Sequence, residues 1–240
     1  MELKAYAVYT HALDEDITDK QVVVIDVLRA TSVMITALAN GSTKVVPAAE
    51  IEDAMSIYQK MPRESAVLGG EREMNAISGF HLGNSPLEYT KENVGGKMTI
   101  LATTNGTRAI QRAKKAQELY IGAMLNGTAL AQKIVESKRD TTILCAGTNE
   151  KYSLDDILAM GYIISRIRKQ MPGQKLKMDD LCRSGLFLYD SKKLHLMEAL
   201  KDSKHYRALM AAGYYADIEY CMRPDVYDLV PFFSEGEVRI

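Results

Sequence analysis

Three short apolar runs each break off into a turn rich in side chains that bind anions or hold metal ions. Val22-Val23-Val24-Ile25 ends at Asp26, followed by Arg29, Thr31 and Ser32. Met98-Thr99-Ile100-Leu101-Ala102 gives way to Thr103-Thr104-Asn105-Gly106-Thr107-Arg108, and Thr142-Ile143-Leu144-Cys145-Ala146 to Gly147-Thr148-Asn149. Each run reads as a strand, and each turn brings its polar residues to the mouth of a helix. In an open α/β sheet, ligands bind beyond the carboxyl ends of the strands, where helix N-termini present unpaired N–H groups. A carboxylate, arginines and hydroxyls at those ends point to a site for a polyanion, with a metal ion as a further occupant.

Each candidate has a plainer alternative. Asp26 could ligate Mg²⁺ or attack phosphorus, whereas a lone aspartate there is more often a turn or cap residue. Arg29, Thr31 and Ser32 shift that balance, because a fork donor and hydroxyls at one helix mouth suit phosphate. In Leu68-Gly69-Gly70-Glu71-Arg72, Glu71 could bind metal and Arg72 could clamp an anion; the alternative is a salt bridge at a tight turn. In Asn84-Ser85-Pro86, Ser85 is expected to cap a short helix with Pro86 at its first position, and Asn84 and Ser85 remain available to a ligand. The turn carrying Thr104, Asn105, Gly106, Thr107 and Arg108 is the strongest anion candidate, although it lacks the Gly-Lys-Ser/Thr ending of a Walker A loop. Gly147 and Thr148 form the third mouth. Ser153-Leu154-Asp155-Asp156 reads as a capping box that occupies Ser153 and Asp156 and leaves Asp155 as the freer carboxylate. Cys145 reads as core, and His205 as structural or a minor ligand contact.

The elements that must position these residues follow from periodicity. Strands are expected at residues 3–9, 22–26, 44–47, 66–68, 98–102, 118–121 and 141–145, and helices at 32–39, 51–60, 106–116, 127–136 and 154–170. This alternation predicts an α/β fold with a mainly parallel or mixed sheet and helices on both faces. Asn40-Gly41 should close the first helix, and Asn126 should cap the helix that follows it. After Pro172-Gly173 the pattern changes to short helices over 177–212, then to an irregular tail with a closing strand at 237–240. The division expected is an α/β core over 1–172 and a C-terminal helical segment over 173–240 packed on it, one domain overall.

Composition narrows the function classes. Lys+Arg 30 against Asp+Glu 31 gives a net charge of -1 over 240 residues, which offers no electrostatic case for nucleic acid or an anionic membrane. The three cysteines are far apart and form no CxxC pair, so a zinc knuckle is not supported. No run reaches membrane-spanning length and no basic start leads into a long apolar stretch, so the cytoplasm is the expected location. The expected partner is a small anionic substrate, with self-association into a homo-oligomer left open.

Taken in order, Asp26-Val-Leu-Arg-Ala-Thr-Ser32, Leu68-Gly-Gly-Glu-Arg72, Gly79-Phe80 with Asn84-Ser-Pro86, Thr103-Thr-Asn-Gly-Thr-Arg108, and Cys145-Ala-Gly-Thr148 leading to Ser153-Leu-Asp-Asp156 resemble the 2-phosphosulfolactate phosphatase family. The resemblance runs from about Val22 to the C-terminus. It implies an Mg²⁺-dependent phosphatase that hydrolyses 2-phospho-3-sulfolactate to 3-sulfolactate and phosphate, a step of coenzyme M biosynthesis. Arg29, Arg72 and Arg108 would then cover the phosphate, sulfonate and carboxylate. Asp26, Glu71 and Asp155 would be catalytic, and Asp26, Glu71 and Asp156 would hold Mg²⁺. His81 departs from the family pattern, where an acidic residue is expected. Two further readings stand beside this one: a non-catalytic small-anion sensor on the same mouth, and, more weakly, a nucleotide-binding enzyme lacking the glycine fingerprint.

Overall fold

Val22-Val23-Val24-Ile25 can only be a central strand, because a continuous β-branched run has no face to give to water. The computed structural model, which describes residues 1–240, buries every residue of that strand, β2 (Gln21–Ile25). It follows β1 (Glu2–Tyr6) and precedes α1 (Ala30–Ala39), β3 (Lys44–Ala48), α2 (Ile51–Gln59), β4 (Ala66–Arg72), β5 (Asn75–Ala76), α3 (Lys91–Val94) and β6 (Met98–Ala102). Next come α4 (Gly106–Arg112), β7 (Glu118–Gly122), α5 (Gly127–Ser137), β8 (Thr141–Cys145) and α6 (Leu154–Gln170). The remainder is β9 (Lys177–Met178), α7 (Asp180–Lys192), α8 (Leu196–Leu200), α9 (Lys204–Ala211), α10 (Tyr215–Cys221), β10 (Phe232–Ser234) and β11 (Glu237–Arg239).

The strands form one mixed sheet in the order β5-β4-β6-β3-β11-β10-β7-β2-β8-β1-β9. One block, β4-β6-β3, is parallel, and so is the other, β7-β2-β8-β1-β9. Between them lies the hairpin β10–β11, antiparallel within itself and to both neighbours. Those antiparallel steps make the two blocks run in opposite senses.

The α/β class agrees with the sequence reading, and α6 has the expected bounds. The closing strand expected at 237–240 is present as β11, but it pairs with a second strand, β10, and the two lie at the centre of the sheet. Glu235 and Gly236 both take positive φ, the backbone of a two-residue hairpin turn. Lys44 Nζ bonds Glu237 Oε1 at 2.5 Å across the β3–β11 pair.

The main core is one cluster of 54 buried residues spanning β1, β2, β7, β8, α1, α5, α6 and the C-terminal helices. A second cluster of 8, including Ala54, Leu68 and Ile100, sits under α2. All three cysteines are buried and free, which agrees with Cys145 as core. No helix is long and apolar enough to cross a membrane.

Candidate active site

The turns after β2, β4, β6 and β8 converge on one cavity of about 520 Å³, lined by residues such as Asp26, Glu71, Thr104, Asn105 and Thr148. The β2–β8 and β4–β6 blocks run in opposite senses, yet residues that follow strands of both line this one cavity. Helix α9 contributes Lys204, His205, Ala208 and Leu209 to the remaining wall. A larger cavity of about 790 Å³ lies beside the C-terminal hairpin. It gathers none of the junction residues, so the chemistry belongs to the smaller one.

Asp26 stands one residue beyond β2 and is only 7% exposed. Its backbone is locked by Thr31, whose hydroxyl donates to the Asp26 carbonyl at 2.9 Å. That bond turns the Thr31 hydroxyl away from any ligand. Gly106, the first residue of α4, lets the two blocks close: a Cβ there would lie 2.8 Å from Asp26 Oδ2 and 2.7 Å from Ala30 Cβ. Thr107 donates to the Thr103 carbonyl at 2.5 Å and is fully buried, so it shapes the turn.

Glu71 accepts backbone N–H groups from Thr104 and Met74, each at 2.9 Å. It thereby ties β4 to the turn after β6 and still lines the cavity. Burial pushes the Asp26 carboxyl up to about 7, and the negative charges of Asp155 and Glu71 push the same way, against His205 and the Ala30 N–H. A buried carboxylate so poorly neutralised favours a cation or a proton beside it.

Asp155 and Asp156 take roles that the capping-box reading did not assign. Asp156 Oδ1 accepts the Val27 N–H and Oδ2 accepts the Gly147 N–H, each at 2.9 Å. Both of its oxygens thus stitch α6 to the turns after β2 and β8. Burial, then Asp155 and Asp26, holds its carboxyl well above the usual range. Ser153 makes no capping bond and instead donates to Asp155 Oδ1 at 2.6 Å. Asp155 Oδ2 lies 3.2 Å from His205 Nδ1. Burial opposes the Asp155 charge, yet His205 and Ser153 outweigh it and hold its pKa below the ordinary value.

No three His, Cys, Asp or Glu side chains stand close enough to hold a metal ion by themselves. The expected set of Asp26, Glu71 and Asp156 is therefore not a ready-made cage, and Asp156 is committed to two backbone amides. Asp26 and Glu71 remain as carboxylates lining the cavity. Hard oxygen donors of this kind fit Mg²⁺, which commonly takes one or two carboxylates and completes its shell with water and substrate phosphate.

The arginines separate. Arg29 lines the cavity, pairs with Asp217 at 2.5 Å and lies 3.9 Å over the Tyr214 ring. Ser85, expected to cap, donates instead to Asp217 Oδ1 at 2.6 Å. Arg72 and Arg108 both lie 3.5 Å from Glu50, and neither lines the cavity. They do not join Arg29 in the way three anion clamps would require. His81 also lies outside: its Nδ1 accepts the Leu68 N–H at 3.0 Å, and its Nε2 sits 3.2 Å from Tyr58 Oη.

Three buried polar atoms at the cavity have no partner: Asn84 Oδ1, Thr103 Oγ1 and Thr104 Oγ1. Buried polar groups are nearly always satisfied, and these three, all on cavity-lining residues, are not. The sequence pattern offered His205 only as structural or a minor ligand contact, gave no sign of Asp217, and left Thr103, Asn149 and Lys204 in the background. The only local signal for His205 was a polar helix start, capped by Ser203.

The fold and this cavity define an α/β protein with a candidate small-molecule site beyond its strand ends. A profile of the family described as 2-phosphosulpholactate phosphatase matches residues 7–236. A protein of Caldanaerobacter subterraneus subsp. tengcongensis is 43% identical over 100% of this chain and 98% of its own length. Proteins of Clostridium tetani and Clostridium acetobutylicum are 44% and 42% identical, each over 94% of both chains. All three bear the name "Probable 2-phosphosulfolactate phosphatase". The chain belongs to the 2-phosphosulfolactate phosphatase family, and so to the phosphoric monoester hydrolases.

Proposed function

We propose that this protein hydrolyses 2-phospho-3-sulfolactate to 3-sulfolactate and phosphate in the presence of Mg²⁺, as a cytoplasmic step of the kind coenzyme M biosynthesis requires. The observation that carries this reading is the cavity itself: Asp26 beside the unpartnered Asn84, Thr103 and Thr104 side chains, within a family of that name.

Asp26 and Glu71 are the residues that would hold Mg²⁺. The ion would supply charge neutralisation on the phosphoryl oxygens and a more acidic bound water. The chain's own groups do the rest. Thr103, Thr104 and Asn84 receive polar atoms of the substrate. Arg29, kept rigid by Asp217 and Tyr214, places a fixed positive charge at the cavity wall. Lys204 at the α9 end adds a mobile one, suited to the sulfonate or carboxylate. Leu28 and Leu209 present apolar surface that limits water around the reacting bond.

The test is phosphate release from synthetic 2-phosphosulfolactate with and without Mg²⁺. Release that stops on chelation supports the reading. Tight binding of the compound without any release would instead favour a sensor.

A further inference from the structure

We propose that His205 donates the proton to the leaving oxygen of the phosphoester and that Asp155 positions it for this task. This assignment rests on the phosphatase reading above. Hydrolysis of an alkyl phosphate expels an alkoxide, a poor leaving group that needs a proton as the P–O bond breaks.

The geometry supplies one. His205 Nδ1 lies 3.2 Å from Asp155 Oδ2, 3.2 Å from Thr148 Oγ1 and 3.5 Å from Ser153 Oγ. A carboxylate only accepts, so Nδ1 carries a hydrogen toward Asp155. The Asp155 side chain is 2% exposed and is held through Ser153, so the ring has a fixed support. All three contacts use Nδ1, which leaves Nε2 for the cavity that His205 lines together with Asp26, Thr103 and Thr104.

The charged groups facing the ring are Asp155 from α6, Asp26 beyond β2 and Arg29 before α1. Lys204 precedes it on its own helix, and Glu71 lines the same cavity. Burial works against a charged imidazole here, but Asp155 and then Asp26 outweigh both burial and Arg29 and hold its pKa above the ordinary value. The ring is thereby biased toward its protonated, proton-donating form.

The step balances. A water oxygen forms the new bond to phosphorus, and the P–O bond to the substrate carbon skeleton breaks with its electron pair on the ester oxygen. That oxygen takes the Nε2 proton and leaves as the alcohol. The water keeps one hydrogen on the phosphate product and gives the other to solvent, from which the neutral imidazole regains its proton.

The test compares two esters on wild type and His205→Gln: 2-phosphosulfolactate, whose leaving group needs a proton, and p-nitrophenyl phosphate, whose leaving group does not. The expected result is a kcat loss of about 10²–10⁴-fold on the first and less than about tenfold on the second. Equal losses on both esters, or none on either, overturn the assignment. Imidazole nitrogen NMR of the wild type gives a readout independent of turnover and of whether the variant folds. It should show His205 protonated at Nδ1, with a pKa above that of free imidazole that falls in Asp155→Asn. A His205 that is neutral well below the ordinary imidazole pKa overturns the assignment as well. Wild type that releases phosphate from neither ester overturns the phosphatase reading itself, a result distinct from any difference between variants.

Discussion

Replacing Asp26 by Asn should remove activity and make the protein more stable. Burial and two neighbouring carboxylates raise the Asp26 carboxyl from 3.8 to about 7. In the unfolded chain this group loses its proton near the ordinary aspartate pKa. Between the two values the folded state holds a proton that the unfolded state has released, so stability falls as pH rises through this window. The penalty is complete above the folded pKa and absent below the unfolded one. At about 1.4 kcal/mol per unit, the shift corresponds to roughly 4 kcal/mol. Asn keeps the shape but brings an amide that needs partners, so a gain of about 2–4 kcal/mol is expected above about pH 8. In a chain of this size that is on the order of 5–10 °C in Tm. The assay is thermal unfolding of both proteins across pH without metal, with kcat measured alongside. The curves should converge in acid and separate in base, while kcat collapses. A variant equal to or less stable than wild type at high pH would refute the reasoning, because it would mean that Asp26 is already well neutralised in the fold.

Other substitutions separate structural from chemical roles. Gly106→Ala places a methyl 2.8 Å from Asp26 Oδ2 and 2.7 Å from Ala30 Cβ. Overpacking of this kind should cost about 1–3 kcal/mol in denaturant unfolding, with a clear loss of kcat. Asp156→Asn turns an amide NH₂ onto one of the two backbone N–H groups that Asp156 now accepts, so a loss of about 1–3 kcal/mol is expected. That loss should be the same with and without Mg²⁺; a Tm change seen only with Mg²⁺ would return Asp156 to the metal set. Arg29→Met strands the buried Asp217 carboxylate, and chemical unfolding should show a loss of about 3–5 kcal/mol.

Much of the fold was legible because its signals are local. The β2 run and the α6 periodicity reach their expected positions because a buried strand and an amphipathic helix are written in consecutive residues. The C-terminal hairpin was legible only in part. Its second strand was expected, but β10 has 3 residues, too few to carry a period, and the hairpin's place in the sheet depends on β3 and β7 from earlier in the chain. The site divides along the same line. Asp26, Glu71, Thr104, Asn105 and Thr148 could be found because each follows a recognisable strand. His205 could not, since its meaning comes from Asp155, 50 residues away in sequence. Tertiary competition also overrode local rules. Ser153 and Asp156 fit a capping box by spacing, but a buried histidine-bound carboxylate and two amides of other segments claim them instead. Arg72 and Arg108 looked like anion clamps until Glu50 came between them.

The reading of the Asp26 cavity as a site of phosphoester hydrolysis stands or falls on turnover. Phosphorus NMR of 2-phosphosulfolactate mixed with the wild-type protein tests it most directly, with Asp26→Asn run in parallel. With Mg²⁺ the ester signal should be replaced by inorganic phosphate, chelation should stop the change, and the folded Asp26→Asn protein should leave the ester intact. An unchanged ester with wild type and Mg²⁺, or equal turnover by the variant, would contradict it.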